Sequence, residues 1–169
     1  QVIRKAASER AIEMNPATKL YFVEVAEPDM HEPSGDLERL GEALKSQWGL
    51  GNVTADLRVI GKLQPTLRKG KWQVTAAIFQ DHKEDTGQII ELWPGLHEDG
   101  IFGLAIDLGS TTIAAHLTDL RSGEVVASSG LMNPQIRFGE DLMSRVSYAM
   151  MNPGGDLEMT AAVREAMNT

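Results

Sequence analysis

Apolar residues recur along this chain with two different periods, and the switch between them predicts its elements. Leu37, Leu40, Leu44 and Trp48 fall at three- and four-residue spacing, which marks one buried face of a helix. Ser34 predicts its N-cap, with Asp36 and Glu38 in the first turn, and Gly49 suits the position just past its end. Leu57, Ile60, Leu63 and Leu67 repeat the helical spacing over Asp56–Arg68. Gly61 and Pro65 interrupt it, so one kinked helix or two short ones are expected there. Val2, Ala6, Arg10 and Met14 predict a short amphipathic helix over residues 1–16, stopped by Asn15-Pro16. Such a piece needs something to pack on.

The remaining pattern is that of strands. Leu20–Ala26, Trp72–Gln80 and Gln88–Trp93 carry β-branched and aromatic residues, and a polar D-H-K-E-D-T-G turn joins the last two. Residues from Pro28 to Pro33 form a loop. Trp48, Trp72 and Trp93 fall on the predicted inner faces. From Trp93-Pro94-Gly95 to Asp99-Gly100 the pattern breaks, and a domain boundary is expected there. Three further strands follow, Ile101–Ile106, Thr111–Thr118 and Glu124–Leu131, with Asp119–Gly123 as a hairpin turn. A helix over Gly139–Met151 would turn Leu142, Val146 and Ala149 inward. Asn152-Pro153-Gly154-Gly155 ends it, and Asp156 caps a last helix to about Met167. The fold class is therefore α/β, with a linker over 1–16, a small α/β domain over 17–98 and a second domain over 99–169.

Composition narrows the chemistry. Apolar residues at 42 % and charged residues at 24 % are globular proportions. A net charge of −8 makes nucleic acid and anionic membrane poor partners. The one basic cluster, Arg68-Lys69-Gly70-Lys71, reads as a solvated turn. There is no cysteine, which rules out disulfides and a cysteine-ligated iron–sulfur cluster within this chain. No apolar run is long enough to span a bilayer, and the start lacks a signal-like segment. A start at Gln1 suggests a fragment, a processed product or a trimmed form. His31, His82, His97 and His116 are scattered without ligand spacing and read as isolated side chains. The methionines near the C-terminus (Met143, Met150, Met151, Met159 and Met167) read as packing filler.

One stretch points to phosphate: Asp107-Leu108-Gly109-Ser110-Thr111-Thr112, set between two strand patterns. Gly109 lets the backbone approach an anion closely. Successive turn N–H groups can form an anion-binding concavity. Ser110, Thr111 and Thr112 add hydroxyl donors, and Asp107 can hold magnesium through water. No lysine follows the glycine, and a strand follows where a Walker loop requires a helix. Read without that chemistry, the stretch is an ordinary hairpin with a polar turn. Ser110 is a donor and not a nucleophile, since no base is identifiable near it.

The hairpin resembles the first phosphate hairpin of the ASKHA superfamily, which contains acetate and sugar kinases, heat-shock ATPases and actin. A second stretch, Asn133-Pro134-Gln135-Ile136-Arg137-Phe138-Gly139-Glu140-Asp141-Leu142-Met143-Ser144-Arg145-Val146, resembles a signature of one branch, the reductive activators of corrinoid proteins. The resemblance runs from about Lys19 to the C-terminus. It implies a [2Fe–2S] ferredoxin domain outside this chain, a linker, a small middle domain at 17–98, and the first β-meander and helices of an actin-like ATPase lobe from 99. It also implies ATP and Mg²⁺ as cofactors, a cytoplasmic location, and a corrinoid protein or cobalamin-dependent methyltransferase as partner. Such activators return an oxidised Co(II) corrinoid to Co(I). Asp107 would then be catalytic, orienting magnesium or the attacking water, and Gly109, Ser110, Thr111 and Thr112 would hold phosphate. Asn133 and Asp141 are candidate cleft residues; Asn133 reads equally well as a turn residue, and Asp141 as the ion-pair partner of Arg145 on one helix face. The alternatives are a structural module that docks a corrinoid protein and an ASKHA small-molecule kinase. Self-association through an uncovered sheet face is expected of a truncated lobe.

Overall fold

The structure is a computed structural model, and it describes residues 13–31, 33–80 and 86–168. It is a mixed α/β fold of two compact units. The first is Glu13–Phe102 together with Asp119–Gly123, and the second is Gly103–Thr118 together with the chain from Glu124 onward. The helix expected over residues 1–16 falls largely outside the described residues; 13–16 have no regular structure.

In the first unit a four-stranded sheet carries two helices. Its strands are β1 (Thr18–Glu24), β2 (Val53–Ala55), β3 (Gln73–Gln80) and β4 (Gly87–Pro94). They lie in the order β1-β3-β4-β2, with β2 parallel to β4 and the other pairings antiparallel. The helices are α1 (Asp36–Trp48) and α2 (Leu57–Lys69). Leu40 and Leu44 of α1 and Val59 and Leu67 of α2 are fully buried against Val23, Val74 and Ile78 of the sheet. Complete burial of each such side chain is worth about 1.5–3 kcal/mol, so these faces hold the unit together.

Local chemistry sets the helix ends. Gly35, not Ser34, is the N-cap of α1, and its N–H donates to Glu38 Oε2 at 2.8 Å. Gly49 closes the helix in the left-handed region, with φ of +74° and its N–H on Lys45 O at 2.9 Å. The second helix is continuous, where a kink or two pieces were expected. Pro65 removes one N–H from it, but Pro65 and Gly61 both lie on its exposed side, where water can satisfy the freed carbonyl. Trp48 is corrected from core to half-exposed: its Nε1 donates to Phe22 O at 2.7 Å, and the ring meets Tyr21 edge-on. Trp72 is partly buried, with Arg39 and Arg68 over its ring, so the basic cluster is not wholly solvated. The turn after β3 lies outside the described residues, His82 included.

The second unit holds a three-stranded sheet in the order β5-β6-β7. These strands are β5 (Phe102–Leu108), β6 (Thr112–Asp119) and β7 (Val125–Met132). A short 3₁₀ helix, Pro134–Phe138, comes next, then α3 (Leu142–Met151) and α4 (Gly155–Met167). Tyr148 joins the helices, with its hydroxyl on Glu158 Oε2 at 2.9 Å and its ring near Phe138. Gly154 is the N-cap of α4, and Asp156 sits in the first turn instead, where a carboxylate suits the helix dipole. The inward strip expected on α3 is corrected. Leu142 and Val146 are exposed, and Arg145 is the residue buried there. Met143, Met150 and Met151 are likewise at the surface and not packing filler.

Candidate functional site

The predicted phosphate stretch forms the turn between β5 and β6. Asp107 lies in β5 one residue from its end, Gly109, Ser110 and Thr111 make the turn, and Thr112 opens β6. Gly109 N–H donates to Thr112 O at 3.0 Å and closes the hairpin. A Cβ on Gly109 would stand 2.8 Å from that same Thr112 oxygen, so only glycine fits. Asp107, Ser110 and Thr111 are exposed.

Two residues from the following segment hold this turn. Asn133 is buried and is the N-cap of the 3₁₀ helix. Its Nδ2 donates to Gly109 O at 2.8 Å, its backbone N–H donates to Thr111 O at 2.8 Å, and its Oδ1 accepts from Gln135 N at 2.9 Å. Arg145 holds the carbonyl between those two. Its Nη2 donates to Ser110 O at 2.6 Å and its Nε to Gly139 O at 2.9 Å. The carbonyls of Gly109, Ser110 and Thr111 are thus captured in succession. Among the described residues, the N–H groups of Ser110 and Thr111 and the hydroxyls of Ser110, Thr111 and Thr112 have no hydrogen-bond partner.

The structure brings Asn133 into contact with the hairpin and makes it a turn residue, the N-cap of the 3₁₀ helix. Asp141 is employed differently. It is the N-cap of α3, and its carboxylate accepts from Ser144 N–H at 2.7 Å and from the Ser144 hydroxyl at 2.9 Å. The Ser144 N–H and hydroxyl hold its pKa below the ordinary carboxylate value. The ion pair expected between Asp141 and Arg145 does not form, because the guanidinium is committed to carbonyls. Arg145 is the contact to the hairpin that the sequence pattern does not single out, since there it reads only as that partner. The signal was a charged residue in the first turn of α3, whose apolar neighbours, Leu142 and Val146, are exposed.

Among the described residues no group of three or more His, Cys, Asp and Glu could hold a metal. Asp107 is a single carboxylate, which suits magnesium held through water better than a direct cage. His97 stacks on Trp93 with its Nε2 at 3.1 Å from Gly100 O, and His116 Nδ1 is 2.8 Å from Ser128 Oγ. No helix among the described residues is long and apolar enough to cross a membrane.

Comparison with known proteins decides the family. The RACo linker region family matches residues 7–99, and the RACo middle region family matches residues 102–169. The chain belongs to the reductive activators of corrinoid proteins. In that family's terms the span 17–98, expected as a middle domain, lies in the linker region, and the phosphate-like hairpin lies in the middle region. A solved structure of a reductive activator for corrinoid, iron-sulfur protein superposes with a TM-score of 0.78 at 30 % identity, over 96 % of this chain and 25 % of that one. The corrinoid activation enzyme RamQ of Eubacterium limosum is 34 % identical over 70 residues, which is 41 % of this chain and 12 % of RamQ. This chain thus spans a quarter or less of the length of the activators it matches.

Proposed function

We propose that this chain is part of an ATP-dependent reductive activator, and that the β5–β6 hairpin is its first phosphate-binding element. The observation that supports this is the pinned turn: carbonyls held behind, with two amide N–H groups and three hydroxyls left without partners among the described residues. That donor set fits phosphate oxygens. Gly109, Ser110, Thr111 and Thr112 would hold them, and Asp107 would orient magnesium or the attacking water. Bound ATP–Mg²⁺ supplies a hydrolysable phosphoanhydride, whose cleavage drives a conformational step in the parent. The parent would return the Co(II) corrinoid of a methyltransferase system to Co(I) by adding one electron. The absence of cysteine means that this chain does not fit a cysteine-ligated [2Fe–2S] cluster, whose ligands would come from a domain outside it. A corrinoid protein or cobalamin-dependent methyltransferase is the partner in this reading; the names of the matched activators support the corrinoid protein.

The deciding experiment uses the longer parent. Asp107→Ala should lower ATP hydrolysis on the order of 10²-fold or more, as loss of one metal-orienting or charge-stabilising contact does. Thr111→Val should weaken nucleotide binding. Unchanged ATPase in a folded Asp107→Ala protein overturns the assignment. A second reading covers the first unit alone. The family's description of residues 7–99 as a linker region favours a spacer, which in this reading would also dock the corrinoid partner.

A further inference from the structure

We infer that Arg145, together with Asn133, is a positioning residue that aims the turn amides at the phosphate; the inference rests on the phosphate reading of the hairpin. The reasoning is geometric. No cis peptide occurs among the described residues, and in a planar trans peptide the carbonyl of one residue and the N–H of the next point in opposite directions. Asn133 Nδ2 holds the Gly109 carbonyl, so the Ser110 N–H is turned away from Asn133. Arg145 Nη2 holds the Ser110 carbonyl, so the Thr111 N–H is turned away from Arg145. Both anchors come from the 133–145 segment. The two N–H groups that lack partners are the ones these two bonds direct outward.

Arginine suits this task for two reasons. Its planar fork reaches two carbonyls at once, Ser110 O through Nη2 and Gly139 O through Nε. Lysine, a point charge on a flexible stem, cannot fix both directions. The second reason is charge. Arg145 is only 5 % exposed, and among the described residues no carboxylate forms an ion pair with it. A buried cation bonded only to carbonyls keeps its full positive charge just behind the turn. Asp141 is near enough to feel this charge without pairing with it, and an anion in front of the turn would add a second opposite charge. The motif Gly139…Arg145 thereby gains a role: Gly139 offers the carbonyl that holds the guanidinium in place, and a Cβ there would lie 2.7 Å from Ser144 Oγ.

The test is an amide-resolved NMR titration of the ¹⁵N-labelled chain with inorganic phosphate, at constant ionic strength in potassium chloride. In the wild type, shifts should concentrate on Ser110 and Thr111. Arg145→Lys keeps the charge and loses the fork; its apparent dissociation constant should rise about tenfold, the scale of one charge-assisted hydrogen bond. Amides of Ala162 and Val163 in α4 should stay in place, which shows that the unit is still folded. Wild-type affinity in a folded Arg145→Lys chain overturns the positioning role while leaving the phosphate reading intact. Silence of Ser110 and Thr111 in the wild type overturns the phosphate reading, and the role assigned to Arg145 with it. Residual dipolar couplings of the same two N–H vectors test the geometry without any substitution. Vectors that point toward Asn133 or Arg145 sink the inference even if the lysine variant fails to fold.

Discussion

Asn133→Ala should destabilise the second unit by about 2–4 kcal/mol. The side chain makes two short hydrogen bonds, to Gly109 O at 2.8 Å and from Gln135 N–H at 2.9 Å, and a long one to Gln135 Oε1 at 3.5 Å, and it is 2 % exposed. Each bond contributes about 1 kcal/mol net, and a stranded buried partner adds about 1–3 kcal/mol. The Gln135 bond is also the N-cap of the 3₁₀ helix, whose loss costs about 1 kcal/mol by itself. The backbone bond from Asn133 N–H to Thr111 O survives the substitution, which limits the loss. A unit of this size has only about 3–9 kcal/mol of stability in total, so the expected loss is a large part of it.

The assay is denaturant unfolding followed by amide exchange. Ile113 and Ala114 report on the second unit, since both are buried in β6. Val74 and Ile78, buried in β3, report on the first unit and should not move. Asn133→Asp separates the two bonds. It keeps an acceptor for Gln135 N–H but has no donor for Gly109 O, so it should retain the cap and still loosen the hairpin. A loss below about 0.5 kcal/mol in Asn133→Ala, the range of an ordinary surface substitution, would refute the reasoning. So would an equal loss at Val74 and Ile78.

Three further outcomes are expected. The isolated chain should show no ATPase and bind ATP–Mg²⁺ no tighter than roughly millimolar, about −4 kcal/mol, because exposed turn amides compete with water for the phosphate; a micromolar constant by calorimetry would mean a more complete site. Asp56 has its pKa lowered to about 2, by hydrogen bonds from the Arg58 side chain and then its backbone N–H. A depressed carboxylate contributes stability above its unfolded value near 3.8 and loses it as pH falls toward about 2, so Asp56→Asn should flatten the stability profile in that acid window; an unchanged acid limb on titration would contradict this. Phe102, Leu104, Ile106 and Leu108 alternate along β5 and are all exposed, so the chain should self-associate in sedimentation and Leu104→Glu should reduce it; a strict monomer at low and high concentration counts against this.

What could be read from the sequence depended on how local its cause was. The helix at α1 was legible because Leu40 and Leu44 bury on the face their spacing predicts and Gly49 ends the helix as its φ requires. The hairpin was legible because Gly109 is compelled by its own turn. By contrast β2 is only Val53–Ala55 and exists because it pairs with β4, more than thirty residues away. No three-residue pattern announces that. The continuity of α2 through Pro65 also depended on context, namely which side of the helix faces water.

Arg145 shows why the site was half-legible. Periodicity assumes that the apolar strip of a helix faces inward, and on that rule Leu142 and Val146 should have been buried. In α3 the burial runs the other way: Leu142 is 67 % exposed while Arg145 is 5 % exposed. The rule failed where a polar group had a stronger claim on the interior, since three bare carbonyls at Gly109, Ser110 and Gly139 need donors and a guanidinium can serve two of them. That demand arises only once the chain has brought residue 110 beside residue 145. On the phosphate reading the donors stand in the turn itself, while the residues that would aim them belong to another element. A local break of pattern, a charge buried where a leucine was expected, is therefore the trace such residues leave.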